Sequence, residues 1–210
     1  MHHGTFSITA RCPRTGQVGV AVASKYLAVG AVVPFVQAGV GAVATQARGN
    51  PLFGPQGLDL MAQGLAPEEI LRRFGANDAE WEFRQVHLID AQGRSACHSG
   101  AETLEWSGHL TGRDSTVAGN ILAGLEVLDA MLEAFQADAD GPLAKRLLAA
   151  LVAGDRAGGD RRGKQSAALL VADKEPYPIV NLRVDDHPDA PAELQRIFAL
   201  FEKSFPNQLR

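Results

Sequence analysis

Cysteine is scarce in this chain: Cys12 and Cys97 are the only two among 210 residues. Two thiols cannot build the multi-bridge framework of a small secreted domain, and without a C-x-x-C pair they offer no structural zinc spacing. Positive charge is also short. Twenty Lys and Arg against 24 Asp and Glu leave a net charge of −4 with no basic stripe, so nucleic acid is not an expected partner. That charge is too small to mark an acidic tail. Long apolar runs are missing as well. The longest weakly polar stretch, residues 27–43, is broken by Pro34, Gln37 and several glycines, and cannot supply the ~20 apolar residues of a membrane-crossing helix. Met1 is followed by His2, His3 and Gly4 rather than by a basic region and an apolar core, so no secretory leader and no membrane partner are expected, and the cytoplasm is the expected compartment.

What remains is ordinary globular composition, 46% hydrophobic and 21% charged, in a length that suits one domain over residues 1–210. Thr5 to Ala10 alternates with period two and predicts a strand. Pro13 to Gly16 is turn chemistry, and Val18 to Ala23 is the returning strand. A four-residue loop puts Cys12 opposite Gln17 and, counting outward, Thr5 opposite Ser24; a one-residue slip would reverse the faces. The Gly-, Ala- and Val-rich segment that follows predicts strands near 32–37 and 40–46, buried on both faces. Residues 56–63 and 67–74 read as helices, the second opened by Pro67-Glu68-Glu69.

Residues 83–89 and 94–99 flank Asp90-Ala91-Gln92-Gly93 as a second hairpin, and 103–110 is expected as a short strand. From Asn120 the apolar period becomes 3.6, which predicts a helix with Asn120 as its N-cap. A further helix over 142–152, a loop over 154–163, strands over 165–172 and 179–184 and a terminal helix over 192–201 complete the chain. Strands come first, then two helices, then strands, then a helix. This order predicts hairpin-built sheets with helices outside, not alternating βαβ units.

Three segments carry a family resemblance: Gly4-Thr5-Phe6-Ser7-Ile8 with Val18 to Lys25; Gly41 to Gln46 with Asn50-Pro51; and Ala157 to Leu170 with Leu182 to His187. Together they resemble the bacterial and archaeal family catalogued as domain of unknown function 1028, which is placed among the N-terminal-nucleophile (Ntn) hydrolases. The resemblance implies an α+β fold, a four-layer αββα sandwich of two antiparallel sheets. Its activity would be hydrolysis of a linear amide (C–N) bond in a small amide or peptide-like metabolite.

Such enzymes attack with the side chain of the first residue of the mature chain, whose freed α-amine, with a pKa of about 8, is the general base. Gly4-Thr5 is similar to the processing site of proteasome β-subunits, so the resemblance makes Thr5 the nucleophile and Gly4–Thr5 the bond to be cut. Ser24 and Lys25 are expected beside it, Ser24 standing where the proteasome pattern has an Asp. Oxyanion donors are sought in Gln46, Asn50 and the amide of Asn120. Asp160, Arg161, Arg162 and Ser166 stand at the entry of a buried strand, where a substrate cleft is expected, and arginine there suits a substrate carboxylate.

His87, His98, His109 and His187 have no ligand spacing, and no glycine-rich fingerprint precedes a helix; no metal or cofactor is expected. A homodimer is the expected assembly. The alternatives are a non-catalytic fold of this type that binds a metabolite or partner with Thr5 never freed, and a hydrolase acting through Ser24 or Ser166.

Overall fold

In the computed structural model, residues 4–208 are described. Strand β1 (Thr5–Arg11) and strand β2 (Val18–Ser24) form the first hairpin. The Cys12 amide donates to the Gln17 carbonyl at 2.8 Å, and the register carries Thr5 opposite Ser24. A 3₁₀ turn at Val29–Ala31 leads into β3 (Pro34–Gln37) and β4 (Gly41–Ala47). Helices α1 (Phe53–Ala62) and α2 (Pro67–Asn77) follow, then β5 (Arg84–Asp90) and β6 (Ser95–Ser99). Pro67 opens α2, where its missing N–H has no partner to lose, and Glu68 and Glu69 face the positive end of the helix dipole.

Next come β7 (Gly108–Gly112), β8 (Ser115–Asn120), α3 (Glu126–Ala137), α4 (Leu143–Arg156), β9 (Ser166–Ala172), β10 (Val180–Val184) and α5 (Ala190–Ser204). Two expectations fail in this stretch. The strand expected over 103–110 begins only at Gly108 and belongs to a hairpin whose second arm, β8, is absent from the sequence reading. Asn120 is the last residue of β8, not an N-cap; α3 begins six residues later. The apolar positions Ile121, Leu122 and Leu125 mimic the helical period. However, Ile121 lies at φ 54°, a left-handed conformation that no helix continues through.

The strands form two antiparallel sheets, ordered β10-β9-β2-β1-β8-β7 and β3-β4-β5-β6. Phe6, Ile8 and Ala10 point from β1 into a core shared with α3, α4 and α5, where Phe135, Leu147 and Leu151 are fully buried. Val18, Val20 and Val22 of β2 point the other way and meet Ala42, Ala44 and Ile89 of the second sheet. Behind that sheet, Val43, Val86 and Leu88 pack on Phe53, Ile70 and Phe74 of α1 and α2. The result is the four-layer αββα sandwich. Close approach of α4 explains Gly19 in β2: a Cβ there would lie 2.6 Å from Leu147 Cδ1 and 2.8 Å from the Leu170 carbonyl oxygen.

Candidate functional site

β1 is flanked on one side by β2 and on the other by β8, so Thr5 at its head lies between Ser24 and Asn120 in register. All three are buried. The Thr5 hydroxyl donates to Ser24 Oγ at 3.1 Å, and the Ser24 hydroxyl in turn donates to the carbonyl oxygen of Gly4. That carbonyl also accepts from the Arg162 guanidinium at 3.1 Å. Arg162 is held by Asp160, at 2.7 Å through one terminal amino group and 3.0 Å through Nε. The Asp160 carboxylate additionally accepts the backbone amides of Lys25 and Arg162 at 3.1 and 3.0 Å. Its position is thus fully determined, as a buried carboxylate requires.

Thr5 also lines a pocket of about 200 Å³. Tyr26, Val29, Val32 and Val33 give it an apolar wall, and Arg48 lies at its lining beside Gln46 and Ala47. The Arg48 guanidinium pairs with Glu80 at 2.8 Å and lies 5.2 Å from the Phe83 ring centroid. Ala47, at φ 68°, and Ile121, next to Asn120, hold left-handed backbone at this end of both sheets. Such conformations cost about 1–3 kcal/mol each and persist where surrounding structure imposes them.

A buried polar chain runs between the sheets from this site. The Ser7 hydroxyl donates to Gln46 Oε1 at 2.5 Å. Having spent its proton there, it accepts from His87 Nε2 at 2.7 Å, which leaves Nδ1 to accept from the Thr116 hydroxyl at 2.8 Å and Thr116 to accept from Thr9 at 2.7 Å. At the other end, Gln85 Oε1 accepts from both Gln46 and Asn120, at 2.8 and 3.0 Å. Burial, with the nearby His109 second, pushes the pKa of His87 down to about 3, so this histidine is a neutral link at ordinary pH.

Of the residues singled out in the sequence, Thr5, Ser24, Gln46, Asn120 and Asp160 come together at this end of the sandwich. Lys25 does not join them through its side chain: its ammonium is drawn to the exposed carbonyl of Lys164 at 3.2 Å, and only its backbone touches Asp160. Asn50 makes the turn before α1, its Oδ1 accepting the Leu52 amide at 3.1 Å, and lines a separate groove with Phe53 and Asp78. The guanidinium of Arg161 reaches the Glu105 carbonyl. Ser166 is fully buried and fastens the segment after β2, accepting the Val29 amide at 3.0 Å and donating to the Tyr26 carbonyl.

The sequence does not single out Gln85, Ser7 or His87 as site residues; the one signal for their buried chain is the run of hydroxyls Thr5, Ser7, Thr9 on one face of β1. Burial also pushes the Cys97 thiol up to about 11, so it is no rival nucleophile. Among the described residues no group of three or more His, Cys, Asp or Glu is arranged to hold a metal ion, and no helix is long and apolar enough to cross a membrane.

The family model described as "Family of unknown function (DUF1028)" matches residues 5–194. The chain belongs to the DUF1028 family. Among solved structures, the crystal structure of protein SPO2555 from Silicibacter pomeroyi, itself assigned to DUF1028, is 34% identical, with 95% of this chain and 89% of that chain covered and a TM-score of 0.87. The β1–β2 hairpin, with Thr5 as the first residue of the matched span, is therefore part of the DUF1028 domain itself. Anbu (ancestral beta-subunit) from Yersinia bercovieri aligns over 98% of both chains at 14% identity and a TM-score of 0.41. No curated protein matches this DUF1028 sequence.

Proposed function

We propose that this protein is an Ntn-type amide hydrolase that frees its own nucleophile by cutting the Gly4–Thr5 bond. The observation that carries the reading is the double hold on the Gly4 carbonyl oxygen by Ser24 and Arg162, directly beside the Thr5 hydroxyl. The Thr5 oxygen attacks the Gly4 carbonyl carbon through a five-membered ring. Its proton passes to Ser24 Oγ while Ser24 gives its own proton to the carbonyl oxygen, and Arg162 stabilises the partial negative charge that builds on that oxygen before the proton arrives. The C–N bond then breaks and the Thr5 nitrogen takes the proton, leaving an ester. Water hydrolyses the ester, releasing the segment that ends in the Gly4 carboxylate and exposing the Thr5 amine.

In turnover, that amine accepts the Thr5 hydroxyl proton as the oxygen attacks a substrate amide. The Thr5 ammonium passes that proton to the departing substrate nitrogen, the C–N bond breaks to leave an acyl-enzyme, and water releases the acid. The valine-lined pocket beside Thr5 suits a small aliphatic substituent of the substrate.

The test is the intact mass of the protein and of its Thr5→Ala variant. The reading expects loss of Met1 to Gly4 in the parent and retention in the variant. Loss in both would mean trimming by other means and would leave Thr5 without a role in cutting. An uncut parent would remove the free-amine mechanism and leave a metabolite-binding fold as the better account.

A further inference from the structure

At the far end of β1, roughly 20 Å from Thr5 at ~3.3 Å per strand residue, lies a second pocket of about 380 Å³. It is enclosed by the turn after β1, the β7–β8 turn and the α3–α4 loop. Its lining includes Cys12, Arg14, Arg113, Asp114, Asp140 and Arg146.

Arg146 is the unusual member. It is only 6% exposed, a burial that arginine normally tolerates only when paired. Its Nε donates to the Phe135 carbonyl at 3.1 Å, and the guanidinium carbon lies 4.0 Å from the Phe135 ring centroid. Those contacts fix one edge and one face of the group. Among the described residues, neither terminal amino group has a hydrogen-bond acceptor and no carboxylate lies within ion-pairing distance. Both amino groups therefore line the pocket as a rigid, unspent fork. Burial lowers the pKa of Arg146, opposed by Cys12, Asp138, Asp114 and Asp140; an anion in the pocket would relieve that cost.

The surrounding acids do not fill this role. Asp114 is engaged by Arg11 at 2.6 Å, with Arg113 at 3.8 Å. Asp140 meets Arg14 through its backbone carbonyl, at 2.8 Å. Of the charged residues lining the pocket, Arg14, Arg113 and Arg146 stand against Asp114 and Asp140, so positive charge is in excess by one. We propose that this pocket binds a small oxyanion, a carboxylate or a phosphate, on the Arg146 fork, with Arg14 and Arg113 closing over it. The site is separate from Thr5 and does not depend on cleavage there.

The experiment is thermal unfolding with inorganic phosphate or succinate titrated against chloride at matched ionic strength. A saturable rise in Tm with either anion is expected in the parent and, unchanged, in Thr5→Ala. A response to phosphate alone would assign a tetrahedral oxyanion, and a response to succinate alone a carboxylate. The Arg14→Ser/Arg113→Ser double variant removes two outer groups without touching the core and is expected to weaken the apparent affinity at least about tenfold. Arg146→Lys, which keeps a charge but loses the fork, is expected to abolish saturation. No saturable response to either anion, or an equal response in the double variant, would overturn the proposal.

Discussion

The carboxylate of Asp160 occupies the space that a side chain on Gly4 would need: a Cβ built on Gly4 would lie 2.6 Å from Asp160 Oδ2 and 2.7 Å from its Oδ1. Asp160 cannot retreat freely, because four donors fix it. Gly4→Ala is therefore expected to displace Asp160 and, with it, the Arg162 contact to the Gly4 carbonyl. Self-cleavage, followed by intact mass over time, should slow by about 10²-fold, the usual consequence of an ångström-scale misplacement. Cleavage at the parental rate would show that the hold on this carbonyl is unimportant.

Ser24 both accepts from Thr5 and donates to Gly4. Ser24→Ala removes the relay and one of two donors to the oxygen on which negative charge builds during attack. Cleavage is expected to slow by about 10²–10³-fold, the range for deleting an oxyanion donor. Thr5→Ser, which keeps the hydroxyl, should still cut, and a Ser24→Ala protein that cuts as fast as the parent would dismiss the relay.

Lys25→Met tests the opposite expectation. Its ammonium meets only an exposed carbonyl, so the substitution should change stability by less than about 0.5 kcal/mol and leave the cleavage rate unaltered. A large fall in rate would return Lys25 to the chemistry.

Gln85 is fully buried and ties both sheets together: the two hydrogens of its Nε2 are shared among Ser99 Oγ and the carbonyls of Gly108 and Gly119, which lie at 2.8, 3.1 and 2.9 Å. Gln85→Leu strands the amide hydrogens of Gln46 and Asn120 against hydrocarbon. Each orphaned group costs about 1–3 kcal/mol, so urea unfolding should show a loss of several kcal/mol. A near-neutral result would mean that ordered water replaces the carboxamide.

The buried His87 gives stability a pH dependence of definite sign. Unfolded, it takes up a proton near its ordinary 6.5; folded, not until about 3. Between these values the unfolded state binds more protons, so stability falls as pH drops below about 6.5, by at most about 1.4 kcal/mol per pH unit. Above 6.5 this group contributes no pH dependence. Urea midpoints at pH 7 and 4.5 should diverge less in His87→Gln than in the parent, and equal divergence would assign the acid sensitivity elsewhere.

The sequence makes the sandwich legible wherever period and turn chemistry agree. The first hairpin, its Thr5–Ser24 register, β5–β6 and α4 all follow from that. The β7–β8 hairpin does not, because its turn, Arg113-Asp114, lacks glycine and instead holds Asp114 at φ 56°. Asn120 then misleads, since a strand-end asparagine before apolar residues looks like a cap. The polar face of β1 is hidden for a different reason. Alternation normally means one face in the core and one in water, yet here Thr5, Ser7 and Thr9 are all 2% exposed or less. Their partners, Gln46, His87 and Thr116, lie 39, 80 and 107 residues away from Ser7, Ser7 and Thr9 respectively. No local pattern announces contacts of that range.

Because β1 is an interior strand, paired along both edges, the Gly4–Thr5 bond at its head is buried, with the Gly4 carbonyl held by Ser24 and Arg162. Any affinity handle fused to the amino end is joined to the segment that the proposed cut would release. A handle placed after α5 is attached to the outer helical layer instead. By the proposed cut, capture through the amino end keeps only uncut chains while capture through the carboxyl end keeps both, so ligand screens on the two kinds of preparation will report on different molecules.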